Sequence, residues 1–186
     1  MNNTIIFWRH AKTLKDSSIP VSQWILTEDG VKNAQEVAET KVFDDVDIII
    51  TSTEPKAYET ALPVATRLKK EIIRIPELSE INRDKGKMMS KDEYDFMKKK
   101  IFEDLDYTDH GWETCNSALN RFSTAVKKID EQYENKRILI VAHGTVMSLF
   151  FASLQGKLDN LMSRWKGLGF CDFGIVKDNK VLKDVI

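Results

Sequence analysis

Ile5-Ile6-Phe7-Trp8-Arg9-His10 joins four bulky apolar residues to two polar ones. A short apolar run without polar alternation is typical of a strand that is buried on both faces. A second such run covers residues 137–142 and ends in His143-Gly144. Open α/β sheets bind ligands outside the carboxyl ends of their strands, so we expect His10 and His143 to share one crevice if the two strands are neighbours.

The rest of the chain alternates between strand and helix patterns. Strands are also predicted at residues 47–51 and 72–75, and near 171–176 and 181–185, the last two joined by Asp178-Asn179. Helices are predicted at residues 27–40, 55–68, 113–133 and 145–154. Pro63 lies inside the second of these, where we expect a kink or an earlier break. The alternation indicates a three-layer α/β/α sandwich with a mainly parallel sheet.

Length and composition indicate one domain over residues 1–186. The chain has 186 residues, of which 42% are hydrophobic, enough for one substantial core. Its 28 basic and 29 acidic residues give a net charge of −1, which argues against nucleic acid and anionic membrane as partners. Cys115 and Cys171 lack metal or redox spacing, and the N-terminal apolar run is too short for a signal peptide. We therefore expect free thiols and a cytoplasmic location; no oligomeric state is indicated.

Residues 82–112 interrupt the alternation without a strand signal. Ser90 and Glu93 form a capping-box pattern that predicts one helix on this insertion. Its six lysines, at positions 85, 87, 91 and 98–100, indicate an exposed and solvated charge run. A lid over a substrate and a plain surface decoration are both compatible with these features.

The predicted strand ends collect groups suited to a compact dianion. The second strand leads to Ser52 and Lys56, so the crevice with the two histidines would also hold Arg9 and Lys56. Phosphoryl transfer requires an in-line nucleophile and positive donors around the equatorial oxygens, which these side chains supply without a metal ion or another cofactor. Glu80, on the loop after the third strand, is the first choice for the acid that protonates the leaving group, and Glu113 is the second.

These residues resemble the signatures of the histidine phosphatase, or phosphoglycerate mutase-like, superfamily. Arg9-His10-Ala11-Lys12-Thr13 resembles its R-H-G-x-T motif, and residues 26–34 resemble its L-T-x-x-G helix start. Residues 52–61 resemble S-x-x-x-R-A-x-x-T-A, residues 78–80 its L-x-E, and residues 111–121 a loosened G-E-S-x(n)-R. Residues 141–144 resemble the second histidine motif, so the resemblance covers nearly the whole chain.

The resemblance implies a phosphoglycerate mutase-like fold and a role for each matched residue. It implies that His10 is the phosphorylated nucleophile, that Arg9 and His143 bind phosphate, and that Glu80 is the proton donor. Lys56 stands where the family has a phosphate-binding arginine, so the charge is kept but the planar fork is lost. Asp16 stands where many members have an asparagine, which places a negative charge near the dianion unless it turns away.

The leading interpretation is a metal-independent phosphatase that hydrolyses a small phosphate monoester through a phosphohistidine on His10. Three alternatives stay open: a mutase-like phosphotransferase, a protein phosphohistidine phosphatase, and a catalytically weakened relative that only binds phosphorylated ligands. A shallow pocket would favour a protein substrate, whereas a pocket roofed by residues 82–112 would favour a metabolite.

Overall fold

The structure is a computed structural model that describes residues 2–85 and 89–186. The strands of its six-stranded sheet are β1 (Thr4–Arg9), β2 (Ile48–Thr51), β3 (Ile72–Arg74), β4 (Arg137–Ala142), β5 (Phe173–Lys177) and β6 (Lys180–Lys183). The α-helices are α1 (Glu28–Ala38), α2 (Pro55–Leu68), α3 (Lys91–Glu103), α4 (Cys115–Gln132), α5 (Gly144–Gln155) and α6 (Leu161–Gly167). The predicted elements are therefore present, and α6 is a further helix that the sequence patterns did not indicate.

The sheet brings the two histidine-bearing strands side by side. Its strand order is β3-β2-β4-β1-β5-β6; the first four strands are parallel, and β5 and β6 continue it as antiparallel strands. In the β1–β4 register Arg9 lies opposite Ala142, and the His10 N–H donates to the Ala142 carbonyl at 3.0 Å. His10 and His143 therefore leave the sheet at the same edge.

Helices cover both faces of the sheet, because β1 and β4 are apolar on both faces. Ile5 and Phe7 face one core, which includes α4, α5 and residues of α3 and α6. Ile6 and Trp8 face the other core, which α1 and α2 complete. This arrangement confirms the three-layer α/β/α sandwich.

The start of α1 braces the loop that follows His10. The Thr27 side chain caps the helix by accepting the Gly30 N–H at 2.9 Å, as a threonine in this position does. Gly30 packs directly on the backbone of Lys12, whose carbonyl oxygen a Cβ at residue 30 would hit. The glycine of the L-T-x-x-G pattern is therefore required by a close backbone contact.

The extent of α2 and the start of α3 test two predictions from the sequence. Of the two outcomes expected at Pro63, a kink or an earlier break, the break is wrong: α2 runs without interruption past Pro63 to Leu68, because packing of its buried face on the sheet outweighs one missing backbone hydrogen bond. The capping box at Ser90 and Glu93 is confirmed, and it begins α3. The described residues do not include positions 86–88 of the 82–112 insertion, and Lys87 is one of these.

The C-terminal hairpin completes the sheet. Asp178 and Asn179 join β5 to β6 with φ of 49° and 58°, as the predicted two-residue turn requires.

Cys115 and Cys171 are free and buried, and burial raises the pKa of each thiol to about 12. Across residues 2–85 and 89–186, no helix is both long and apolar enough to span a membrane.

Candidate active site

His10 lies directly beyond β1 and is only 7% exposed. Its Nδ1 is 2.8 Å from the Ala11 carbonyl oxygen. Because a carbonyl oxygen only accepts, this contact places the ring hydrogen on Nδ1. The Nε2 lone pair of the neutral ring is then available to attack an electrophile.

His143 lies directly beyond β4 and is fully buried. The centroids of the His10 and His143 rings are 5.2 Å apart. The Nε2 of His143 is 2.7 Å from Ser52 Oγ, which itself accepts the Glu54 N–H. The Nδ1 atom is buried and has no hydrogen-bond partner in the described part of the chain, so a ligand oxygen at this point would satisfy it.

Both imidazoles are neutral in the free protein at pH 7. Burial holds the pKa of His10 well below its ordinary value, and the neighbouring His143, Lys56 and Arg9 lower it further. Burial and then Lys56 lower the pKa of His143 to about 3. A neutral His10 suits nucleophilic attack, because a protonated ring has no free lone pair.

Arg9 is held at the crevice by Leu168 and Phe170. Its guanidinium donates to the Leu168 carbonyl and lies 4.5 Å from the centroid of the Phe170 ring. A Cβ at Gly144 would lie 3.1 Å from the Arg9 Nε, so the glycine after His143 leaves room for the guanidinium. Within residues 2–85 and 89–186 the buried Nε has no hydrogen-bond partner. Arg9 therefore keeps donors for an anion.

Lys56 reaches the crevice from the first turn of α2 and is 3% exposed. Its Nζ donates to the Val21 carbonyl at 2.8 Å and forms an ion pair with Glu54. Glu54 is 5% exposed, and its other carboxylate oxygen accepts the Glu80 N–H at 2.7 Å. Lys56 stands where the sequence resemblance led us to expect an arginine. Its positive charge is thus compensated by the buried carboxylate of Glu54.

Glu80 binds to the N-terminus of α5. Its carboxylate accepts the N–H groups of Thr145 at 2.9 Å and Val146 at 3.2 Å, where the helix has unpaired donors. Burial acts to raise the pKa of Glu80, but Lys98, His143 and backbone hydrogen bonds outweigh it and hold this pKa below its ordinary value. Glu80 is therefore ionised in the free protein.

Glu113, the second choice for the acid, has a different environment. Its carboxylate pairs with Arg121 at 2.8 Å and accepts the Asn82 N–H at 3.0 Å. Arg121 also donates to the backbone carbonyls of Ser79 and Glu80. Glu113 does not line the main cavity and instead helps to hold the loop that carries Glu80.

Lys98 corrects the expectation of a solvated lysine run. It is fully buried, its Nζ donates to Thr145 Oγ1 at 2.6 Å, and four aromatic rings surround the ammonium with centroids 5.3–5.8 Å away. The rings belong to Tyr94, Phe102, Trp112 and Trp165. These cation–π contacts and the nearby Glu80 carboxylate compensate the buried charge.

A cavity of about 630 Å³ opens onto this site. Its lining includes Arg9, His10, Lys56 and Glu80. Residues from the 82–112 insertion form another part of the wall, namely Arg83, Asp84, Met89, Ser90, Lys91, Tyr94 and Trp112. Trp24, Trp165 and Phe170 add further aromatic surface. The cavity combines the cations Arg9 and Lys56 with aromatic surface, which suits a small anionic ligand.

The structure brings together five residues singled out by sequence: Arg9, His10, Lys56, Glu80 and His143. Asp16 is not among the cavity-lining residues; its carboxylate accepts both the N–H and the hydroxyl of Ser18. Sequence reasoning missed Glu54, Lys98 and the aromatic walls. Glu54 stands between Ser52 and Lys56 in the sequence, and this position was a signal that it lies at the site.

The described residues contain no group of three or more His, Cys, Asp or Glu side chains arranged to hold a metal ion. Arg9 and Lys56 are side-chain cations that line the cavity, whereas the Thr145 and Val146 N–H groups at the start of α5 are bound by Glu80.

Comparison with known proteins places this site in a family. The model of the histidine phosphatase superfamily (branch 1) matches residues 5–176. A Bacillus subtilis protein named uncharacterized phosphatase PhoE is 27% identical over 138 residues, which cover 74% of this chain and 68% of PhoE. Phosphoserine phosphatase 1 of Hydrogenobacter thermophilus is 25% identical over 137 residues, which cover 70% of this chain and 64% of that protein.

Solved structures share the fold. Bacillus stearothermophilus YhfR superposes with a TM-score of 0.79 at 24% identity, covering 97% of this chain and 95% of YhfR. An Entamoeba histolytica phosphoserine phosphatase variant superposes with a TM-score of 0.74 at 21% identity, covering 96% of each chain. The match over residues 5–176, together with this fold, shows that the chain belongs to the histidine phosphatase superfamily, branch 1.

Proposed function

We propose that the protein is a metal-independent phosphatase that hydrolyses a small phosphate monoester through a phosphohistidine on His10. The observation that carries this proposal is the hydrogen bond from His10 Nδ1 to the Ala11 carbonyl, which leaves Nε2 free as a nucleophile. The superfamily assignment and the relatives named as phosphatases support it. The buried thiols are compatible with the reducing cytoplasm that we propose as its location.

In the first step, His10 Nε2 attacks phosphorus and the bond to the ester oxygen breaks. The bond electrons stay on the leaving oxygen, which takes a proton from Glu80. Arg9, Lys56 and the free Nδ1 of His143 stabilise the equatorial oxygens, where negative charge spreads in the transition state. Phosphorylated His10 keeps the hydrogen on Nδ1 and is cationic, and the Ala11 carbonyl stabilises that charge.

Glu80 must gain a proton before it can give one. It is ionised in the free protein, but a phosphate dianion bound beside it raises its pKa by like-charge repulsion. The proton then enters together with the substrate. In the second step a water molecule attacks phosphorus, the P–N bond breaks, and the Glu80 carboxylate takes the proton released by water, so that inorganic phosphate and neutral His10 are restored.

Phosphate release from 4-nitrophenyl phosphate tests this function. We expect the native protein to release phosphate at the same rate with and without excess EDTA, because Arg9 and Lys56 supply the positive charge that a metal would bring. Loss of activity in EDTA that returns with added Mg²⁺ would contradict the metal-independent route. No release from any ester tested would favour the alternative that the protein only binds phosphorylated ligands.

We propose a metabolite rather than a phosphorylated protein as the substrate. Seven described residues of the 82–112 insertion line the cavity, which supports a substrate held between the insertion and the phosphate site. A leaving group of metabolite size fits within the 630 Å³ of this cavity. The insertion would then act as a lid.

Arg83 lines the same cavity and is placed to bind a negatively charged group of the substrate. Its guanidinium stacks 4.9 Å from the Tyr94 ring centroid and 5.6 Å from that of Trp112. Its buried Nε has no hydrogen-bond partner among the residues that the structure describes. A planar guanidinium held in this way is suited to a carboxylate on the substrate.

A matched pair of esters tests this role of Arg83. 3-Phosphoglycerate and glycerol 3-phosphate both carry phosphate on a primary alkoxide, but only the former has a carboxylate. We expect the native protein to prefer 3-phosphoglycerate by about ten-fold in kcat/KM, the value of one charge-assisted hydrogen bond. Arg83→Gln should remove most of this preference, as measured by phosphate release from both esters.

Arg67→Gln is the matched control for Arg83→Gln. Arg67 lies on α2, pairs with Asp44 and does not line the cavity, so the native ester preference should persist in this variant. Equal kcat/KM for the two esters in the native protein would show that Arg83 does not select a carboxylate.

A further inference from the structure

Glu54 is a buried carboxylate at the phosphate site that the proposed mechanism does not use. One of its oxygens pairs with Lys56 Nζ. The other accepts the Glu80 N–H at 2.7 Å and lies 3.5 Å from His143 Nε2. Glu54 therefore touches three of the residues that surround the bound phosphate in the proposed function.

The position of Glu54 follows from the local backbone. Glu54 is the residue before α2, with φ −75° and ψ 135°, so it is extended while Lys56 is already helical. Side chains two residues apart within a helix point away from each other. The extended conformation of Glu54 instead allows its carboxylate to meet the Lys56 ammonium.

The Lys56 ammonium has three N–H donors. One is directed to the Val21 carbonyl at 2.8 Å and another to Glu54, which leaves one for a phosphate oxygen. The charge of Lys56 is also balanced by the nearest carboxylate. A phosphate dianion that binds Lys56 must therefore share it with an anion that is already in place.

The Coulomb interaction between the Glu54 carboxylate and a bound phosphate is repulsive. Both anions would bind the same Lys56 ammonium, and the side chains of Glu54 and Lys56 are about 95% buried, so water screens the repulsion poorly. An arginine at position 56 could bind both anions with separate N–H groups, whereas a lysine has a single nitrogen. The combination of Glu54 with Lys56 weakens the anion site more than the lysine alone.

We propose that Glu54 is a positioning residue that acts as an internal counter-ion of Lys56 and competes with phosphate for it. By this competition Glu54 keeps the affinity for product phosphate low and favours its release after each turnover. The inference rests on the proposed function for the identity of the anion, but its test measures binding and requires no turnover.

The test is the dissociation constant of inorganic phosphate, measured by isothermal titration calorimetry at pH 7.5. We expect Glu54→Gln to bind phosphate about ten-fold more tightly than the native protein, because the amide removes the competing charge and keeps an oxygen for the Glu80 N–H. In steady-state hydrolysis the same variant should show stronger inhibition by phosphate, with kcat and KM both lowered. A merely structural role of Glu54 would not produce a gain in affinity.

Glu59→Gln is the matched control, because Glu59 is a partly buried carboxylate on α2 that accepts the Leu26 N–H, whereas the Lys56 ammonium binds Val21 and Glu54. Its phosphate affinity should stay within about two-fold of the native value. Glu54→Ala is the second variant if Glu54→Gln does not fold, and it should also bind phosphate more tightly.

Two results would overturn the inference. Unchanged or weaker phosphate binding by folded Glu54→Gln or Glu54→Ala would show that Glu54 does not compete for Lys56. Failure of both variants to fold would show instead that Glu54 is required for the structure. A native protein that binds phosphate but hydrolyses no ester would count against the proposed function alone.

Discussion

His10→Ala is expected to lower kcat/KM for 4-nitrophenyl phosphate by at least about 10³-fold, because it removes the nucleophile that splits the reaction into two steps. Alanine cannot form the P–N bond, so the two-step route is closed in this variant. Release of inorganic phosphate in EDTA measures the loss. Thermal unfolding should show a folded protein, since within residues 2–85 and 89–186 the His10 side chain has a single hydrogen bond, to the neighbouring Ala11.

The third histidine of the chain provides the control for His10→Ala. His110 is exposed on the loop before Trp112, and its Nε2 lies 3.6 Å from Asp109. His110→Ala should retain the native rate. If His10→Ala kept more than about a tenth of the native activity, attack by water and not by an imidazole would be the better explanation.

Glu80→Gln is expected to have the second largest effect, and the effect should depend on the leaving group. The alkoxide of glycerol 3-phosphate leaves poorly without a proton, so kcat/KM for this ester should fall by about 10²–10⁴-fold, the usual contribution of general acid catalysis. 4-Nitrophenolate leaves without protonation, and kcat/KM for its ester should fall much less. Phosphate release from both esters under the same conditions gives the comparison.

Glu113→Gln distinguishes the two candidate acids. Because Glu113 holds the Glu80 loop through Arg121, its replacement should lower the rates for both esters by a similar, smaller factor. An equal loss for both esters in Glu80→Gln would show that Glu80 supports the site without donating a proton. A selective loss in Glu113→Gln would move the acid role to that residue.

Most of the fold could be predicted because the strand signals are strong and local. The apolar runs before His10 and His143 are short, bulky and followed at once by polar residues, and both are central strands. Their adjacency could not be derived from periodicity, which carries no information about strand order. It became an expectation only through the assumption that the strands are neighbours, and the β1–β4 pairing confirms it.

The residues that were missed depend on tertiary contacts. Glu54 meets Lys56 only because the chain is still extended before α2, and Lys98 is buried because aromatic side chains from α3, α6 and the segment between α3 and α4 enclose its ammonium. In the sequence Lys98 is one of three consecutive lysines, a pattern that indicates a solvated surface. The early break expected at Pro63 failed for a similar reason, since propensity is local and packing is not.

Direct detection of the phosphoenzyme tests the central claim most directly. Native protein mixed with a ³²P-labelled aryl phosphate and quenched in alkali should carry label that is stable to base and lost in acid, as expected of a P–N bond. Peptide mapping should place this label on His10, and His10→Ala should carry none. Turnover without labelled histidine, or label on another residue such as Ser52, would contradict the phosphohistidine route.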